Sequence, residues 1–317
     1  MTDTPDRPRG KPARIRLGTR NSPLAMAQAV ETRERLCAAH GWGESEVELV
    51  PVVASGDKVL DRPLAEIGGK ALWTKELDAW LGEGAIDVAV HSAKDVETIR
   101  PDTFHFAAFL PRADRRDALV GAESIAAIPH GATVGTSAPR RAAQLLNLRP
   151  DCKVVTFRGN VATRLGKLEA GEADATFLAA AGLERLGQSE VGTPLESSEW
   201  IPAAAQGVIA LECRTDDTET TALVAAIDDT ATRAELEAER ALLADLGGTC
   251  HSPVAVLCEG ARGGLTMHAA LFSPDGKERI EGEARFTAGD HAPVRSLAAD
   301  LLARATPGIK PHFGGAS

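Results

Sequence analysis

The chain of 317 residues is too long for one ordinary hydrophobic core and fits two or three domains of roughly 100 to 150 residues each. Its 44% hydrophobic and 25% charged content is that of a soluble globular protein, while a net charge of -10 and a pI of about 5.4 set its field against nucleic acid and anionic membrane, so neither is expected as a partner. No apolar run approaches the roughly 18 residues of a membrane span and the first residues lack the apolar core of a signal peptide, which points to the cytoplasm.

Residues 1–13, with Pro5, Pro8, Gly10 and Pro12 among charges, read as a disordered tail. Arg14 to Gly18 alternates like a strand. Ser22 and Pro23 supply an N-cap and a first-turn proline, and the helix they open runs through Leu24, Ala27, Val30 and Leu36 to a stop at Gly41. With a strand over 47–53 this makes a β-α-β unit and a parallel strand pair. Residues 55–69 are polar and without a period, and read as a mobile loop over a site. A helix follows over 70–81. The next strand carries Ile86, Val88 and Val90 and breaks at His91, Ser92, Ala93, Lys94 and Asp95. Polar residues at the C-terminal end of such a strand lie where α/β sheets bind ligands, which makes Asp95 the first carboxylate to suspect of chemistry.

Residues 107–131 read as a crossing region, with a charge cluster from Arg112 to Asp117. A second α/β pattern follows: a strand end at 133–136, a helix opened by Pro139, a strand over 154–157 and a helix capped by Asn160 that stops near Gly171. Its strand-to-helix junctions echo the first pattern, so two similar doubly wound lobes facing one cleft are expected. Residues 203–207 lead into a strand-like segment over 208–213 that is expected to return to the first lobe, closed by the polar stretch 214–221. A charged helix over 232–246 stops at Gly247 and Gly248. Three antiparallel strands (254–258, 265–271, 279–286) and a helix over 292–304 complete a small α+β unit. The expected organisation is an α/β domain over 14–110 with 203–225 returning to it, a second over 111–202, and an α+β domain over 226–317.

In so acidic a chain the arginines near strand ends stand out. Arg20, Arg140, Arg141, Arg158 and Arg164 all follow strand ends of the two lobes, and guanidinium groups bind carboxylate or phosphate bidentately. Helix N-termini at Ser22–Pro23 and Ala138–Pro139 add partial positive charge on the same side. No P-loop and no G-x-G-x-x-G is present, so a ligand with many carboxylates fits better than a nucleotide. Asp95 beside Lys94 is either a plain ion pair or cap, or a carboxylate that stabilises developing positive charge or relays a proton. Five scattered cysteines without a C-x-x-C pair argue against a disulfide framework and a zinc site. Cys37 and Cys213 read as small buried hydrophobes. Cys250, behind two glycines and beside His251, is open to three readings: an unreactive thiol, a nucleophile or a covalent attachment point.

Taken together, GTRNSPLA at 18–25, GGKALWTKEL at 68–77, HSAKD at 91–95, VGTS at 134–137 with Arg140 and Arg141, RGNVATR at 158–164 and GGTC at 247–250 resemble porphobilinogen deaminase (hydroxymethylbilane synthase) over nearly the whole chain. The resemblance implies two lobes like a type II periplasmic binding protein and a third domain that carries a dipyrromethane covalently through a cysteine thioether, here Cys250. It implies a monomeric transferase that condenses four porphobilinogen molecules head to tail onto this primer, losing ammonia each time, and releases hydroxymethylbilane. Asp95 would then be the catalytic carboxylate, stabilising the cationic azafulvene-like species left as ammonia departs. By the same matching, Ser92, Lys94, Thr136, Ser137, Arg140, Arg141 and Arg164 hold the cofactor's acidic side chains. Arg20, Ser22, Arg158, Arg185 and Lys70 hold the incoming substrate. The family commonly has a second serine where this chain has Ala138, so one cofactor hydroxyl is missing. The rivals are a non-enzymatic two-lobed small-anion binding protein, which needs neither the third domain nor a loop cysteine, and a cysteine-dependent hydrolase, which needs a base near Cys250.

Overall fold

The computed structural model describes residues 13–52, 74–249, 251–261 and 264–314. All but the last residue of the expected tail over 1–13, the expected loop over 55–69, Lys70 and Cys250 lie outside the described residues.

The chain opens with β1 (Ile15–Arg20), α1 (Pro23–His40) and β2 (Val47–Val52), and β1 runs parallel to β2 with Ile15 opposite Val47. Local signals fix α1 at both ends: Ser22 Oγ accepts from Ala25 N at 3.3 Å, and Gly41 takes the left-handed conformation (φ 66°) that ends it. After α2 (Lys75–Gly82) comes β3 (Val88–Ser92), parallel to β1. The strand runs through His91 and Ser92, beyond the break expected at His91, because a later strand supplies ladder partners for both. A 3-10 turn over Ala93–Asp95 then ends it.

The expected crossing region over 107–131 is in fact partly strand: β4 (Phe104–Phe109) and β5 (Asp117–Val120) flank a short link. Next come β6 (Thr133–Gly135), α3 (Pro139–Leu148), β7 (Lys153–Val155), α4 (Val161–Glu169), β8 (Ala175–Ala179), α5 (Ala180–Arg185) and β9 (Thr193–Pro194). Asn160 caps α4 as expected, its Oδ1 accepting from Thr163 N at 2.9 Å. The chain then returns as β10 (Ile209–Arg214) and α6 (Thr218–Ala225). The polar stretch over 214–221 thus holds a helix start, capped by Asp217, whose Oδ1 accepts from Thr220 N at 3.0 Å.

Each lobe has one five-stranded mixed sheet, and the two follow the same pattern. The orders are β2-β1-β3-β10-β4 and β7-β6-β8-β5-β9. In both, the fourth strand is antiparallel to its neighbours and lies next to a link between the lobes. Separate cores form around Leu17, Leu36 and Leu211 in one lobe and around Leu145, Phe177 and Trp200 in the other. Cys213 is buried in the first of these cores and Cys37 packs at its margin. Burying side chains of this size stabilises by about 1.5 to 3 kcal/mol each.

The third unit is α7 (Thr230–Leu246), then β11 (Val254–Ala261), β12 (Gly264–Phe272) and β13 (Arg279–Phe286) as an antiparallel sheet, then α8 (Ala292–Arg304). Its helices cover one face of the sheet around Leu242, Met267 and Leu301. Among the described residues no helix is long and apolar enough to cross a membrane.

Candidate functional site

Asp117 opens β5 and is fully buried. A carboxylate stripped of water must find donors, and four converge on it. Arg140 Nη2 and Trp200 Nε1 donate to Oδ2, each at 2.7 Å; Arg141 Nη2 and Gln206 Nε2 donate to Oδ1 at 2.7 Å and 2.9 Å. Burial acts to raise the carboxyl, but the two guanidinium groups hold it well below the usual range. Arg140 and Arg141 enter from the first turn of α3, held there by Pro139 at its start. Their other terminal nitrogens donate to the carbonyls of Ile201 and Phe177.

Arg141 Nε is buried and has no hydrogen-bond partner among the described residues. Around it positive charge is in excess. Burial, then the Arg141 cation, lowers Arg164 to about 10, with Asp95 opposing and Arg158 adding to the fall. Burial lowers Lys94 to about 8 against the pull of Asp95, with Arg141 and Arg140 contributing. These shifts put Asp95 of the first lobe within electrostatic reach of Arg164 of the second. A site that holds cations below their ordinary pKa, with one guanidinium nitrogen unpartnered, suits a ligand bearing several carboxylates.

On the first-lobe side Arg20, Gln28, Thr74, His91, Ser92 and Asp95 line one recess. The Gln28 amide brackets the Ser92 hydroxyl, donating at 2.9 Å and accepting at 3.0 Å. Behind the recess, Glu212 of β10 is fully buried. Arg100 forks its two oxygens with bonds of 2.8 Å each, and His91 Nε2 lies at 3.3 Å without hydrogen-bond alignment. Burial acts to raise Glu212, and His91 and Arg100 outweigh it, holding the carboxyl at about 2.

Among the sequence-predicted residues, Lys94, Arg140, Arg141 and Arg164 come together around Asp95. Lys94 Nζ donates to Gln206 Oε1 at 3.2 Å. Thr136 is buried, its Oγ1 accepting from Ala138 N at 3.2 Å, and Ser137 is half-buried in the same turn. Arg158 is buried beyond β7. Arg164 Nε donates to Gly159 O at 3.0 Å. Ser22 serves as the α1 cap. Arg185 spans the lobes, reaching Glu31 of α1 at 3.1 Å and Gly207 O at 3.2 Å, so its guanidinium is engaged there and not directed at Asp95.

The segment after Asp95 also meets the third unit. Thr98 Oγ1 donates to Gly248 O at 3.0 Å, two residues before Cys250, and Arg240 Nη2 donates to the carbonyls of Glu97 and Thr98 at 2.7 Å and 2.8 Å. Sequence reasoning missed Asp117, Glu212, Gln206 and Gln28. For Glu212 and Asp117 a signal existed: each is the lone carboxylate of a strand that is apolar but for a terminal arginine in the first case (IALECR and DALV).

Fold and site together define a two-lobed α/β protein in which cations from both lobes gather around one half-buried aspartate, an arrangement suited to a ligand rich in carboxylates. A family model described as "Porphobilinogen deaminase, dipyromethane cofactor binding domain" matches residues 15–222, and one for the porphobilinogen deaminase C-terminal domain matches 233–303. Porphobilinogen deaminase of Sphingopyxis alaskensis is 55% identical, covering 98% of this chain and 98% of its own length. That of Paracoccus denitrificans is 49% identical over 96% of this chain and 97% of its own. The chain belongs to the porphobilinogen deaminase family. Among solved structures, immunogenic lipoprotein A of Vibrio vulnificus aligns with a TM-score of 0.43 at 12% identity, covering 71% of this chain and 99% of its own.

Asp117→Asn leaves two buried guanidinium groups without their counter-charge and is expected to lower unfolding free energy by about 3 to 5 kcal/mol in urea titrations. Because the folded Glu212 carboxyl is depressed from 4.5 to about 2, its stabilisation is fully present above pH ~4.5 and lost as pH falls through about 2, a contribution on the order of 3 kcal/mol. Unfolding measured from pH 6 to pH 2 should therefore steepen below pH ~4.5 in the wild type, and Glu212→Gln should lose about one proton of that slope.

Proposed function

We propose that this chain polymerises four porphobilinogen molecules head to tail onto a covalently bound dipyrromethane primer, releasing ammonia and the linear tetrapyrrole hydroxymethylbilane. The observation that carries this reading is the cluster of cations gathered around Asp95: Lys94 on its own turn, and Arg164 with buried Arg141 from the second lobe. Each pyrrole unit bears an acetate and a propionate, so a growing chain brings the carboxylates that such a site lacks. Membership of the family supports the same reaction. A cytoplasmic monomer is the form proposed to act, an expectation carried by the family resemblance.

The residues fit the primer's chemistry: Arg141 has a buried donor to spare, and Lys94 and Arg164 gain from any added anion. Cys250 attaches the primer, and Ser92, Lys94, Thr136, Ser137, Arg141 and Arg164 hold its acidic side chains. Arg140, whose terminal nitrogens already donate to Asp117 and Ile201, acts through its charge and by fixing Asp117. Bound there, the dipyrromethane would supply the free pyrrole α-carbon to which the first unit is joined, and each added unit supplies that of the next. Arg20, Ser22, Arg158, Arg185 and Lys70 take the carboxylates of incoming porphobilinogen. For Arg185 this requires release of its Glu31 contact.

Asp95 accepts hydrogen bonds from pyrrole N–H groups. Its carboxylate stabilises the positive charge that develops on the substrate as the aminomethyl C–N bond breaks and ammonia leaves. A purely anion-binding protein would not need Thr98 and Arg240 to tie the Asp95 segment to the unit that carries Cys250.

Intact mass of denatured wild-type protein should exceed the sequence mass by a two-pyrrole unit, and Cys250→Ser should abolish the excess; an unmodified mass in active protein would sink the covalent primer. Asp95→Asn is expected to keep the added mass and the fold while turnover drops by about 100-fold or more in single-substrate assays of porphobilinogen consumption.

A further inference from the structure

Gln206 is 1% exposed and lies in the second link between the lobes, between Ala204–Ala205 and Gly207. Its side chain touches both lobes at once. Oε1 accepts from Lys94 Nζ at 3.2 Å, while Nε2 donates to Asp117 Oδ1 at 2.9 Å and to Arg115 O at 2.8 Å. Asp117 in turn holds Arg140 and Arg141. One amide therefore separates the lysine beside Asp95 from the carboxylate that anchors the arginine pair.

The neighbours dictate that chemistry. Facing an ammonium on one side and a carboxylate on the other, the position needs a neutral group with an acceptor at one atom and a donor at the next. A carboxylate here would oppose Asp117, and a cation would oppose Lys94. The amide orientation is fixed as well, because a flip would set NH2 against the ammonium and oxygen against the carboxylate.

The backbone around Gln206 is built to hold it. Ala205 takes a left-handed conformation (φ 62°), which strains an L-residue by about 1 to 2 kcal/mol. Its N–H donates to buried Glu239 of α7 at 2.6 Å. Gly207 is also left-handed (φ 88°), and a Cβ there would lie 2.6 Å from Ala113 O in the other link. Gln206 O accepts from Arg112 Nε at 2.9 Å, and Ala113 N donates to Gly207 O at 3.2 Å. Both links and the third unit thus clamp this residue.

We infer that Gln206 is a positioning residue for the polymerisation, setting Lys94 beside Asp95 in one lobe against the Asp117-anchored arginine pair in the other. This rests on the function proposed above. The groups facing the Lys94 ammonium are Asp95 on its own turn, Arg140 and Arg141 from α3, and Asp117 from β5. Loss of the amide oxygen removes an acceptor from a cation already held low, so Lys94 must titrate lower still.

The test uses full-length protein with Gln206→Met, which keeps length and volume, and Gln206→Asn, which keeps the amide on a shorter arm. Lys94 is titrated by acetic anhydride labelling read on its peptide, and kcat and KM are measured on protein whose mass shows the primer. In Gln206→Met the Lys94 midpoint should fall by roughly half a pH unit or more. Its kcat should fall about tenfold or more with KM changed less than about threefold, as expected where the amide positions Lys94 against Asp117 rather than holding substrate. Gln206→Asn should move both in the same direction. Wild-type labelling midpoints, or wild-type kcat, in either folded variant would overturn the assignment. A wild-type protein without primer mass or turnover would instead count against the proposed function, while the labelling shift would still judge the contact between Gln206 and Lys94.

Discussion

A carboxylate buried without water, Asp117, is the constraint on which the second lobe and the cleft depend. It is stable only as an anion surrounded by donors, and the donors come from α3, from Trp200 and from the returning link. Satisfying it fixes the first turn of α3 and the direction of two guanidinium groups. It does not neutralise them. Two arginines share one carboxylate, and Lys94 and Arg164 add positive charge that Asp95 opposes from the first lobe. The folded chain therefore carries self-repulsion at its centre that a polyanionic ligand relieves. Binding and the retention of a chain gaining two carboxylates with each added unit draw on the same stored electrostatic energy.

The third unit takes part in this geometry. Arg112, in the first link, pairs with Glu235 at 3.0 Å and Glu239 at 2.8 Å on α7, and Glu239 also accepts from the strained Ala205. These ion pairs are nearly or wholly shielded from solvent, so breaking one side leaves an uncompensated charge. With Thr98 and Arg240 fixing the start of the Cys250 loop against the Asp95 segment, the unit is tied to both links and to one rim of the cleft.

Much of the architecture was legible because its signals are local. The cap at Ser22, the stop at Gly41, the cap at Asn160 and the alternation of the three C-terminal strands each depend on residues a few positions apart. The two-lobe arrangement and the arginines at strand ends were legible for the same reason. What escaped depends on partners distant in sequence. Asp117 reads as part of a charge cluster in a crossing region because its counter-charges sit at 140 and 141, and that reading hid β5. Glu212 needs Arg100, and Gln206 needs Lys94 and Asp117. Arg185 entered only through the family resemblance, and its contact with Glu31 follows from how the lobes meet. The roles of Asp95 and Cys250 came from the family motifs; periodicity alone left each open.

The exchanged strands bear on how the chain acquires its fold. In the first lobe β4 has a single ladder neighbour, β10, and β10 also closes the open edge of β3. Ile209 follows Phe109 by a hundred positions, so at common synthesis rates those edges wait on the order of 5 to 20 s for their partner. Every strand of the second lobe lies between Asp117 and Pro194. The lobe that is second along the sequence is thus the first whose sheet can be completed on the ribosome, and it emerges while its neighbour still exposes unpaired backbone, the condition under which a chaperone or a mispaired strand competes for the edge.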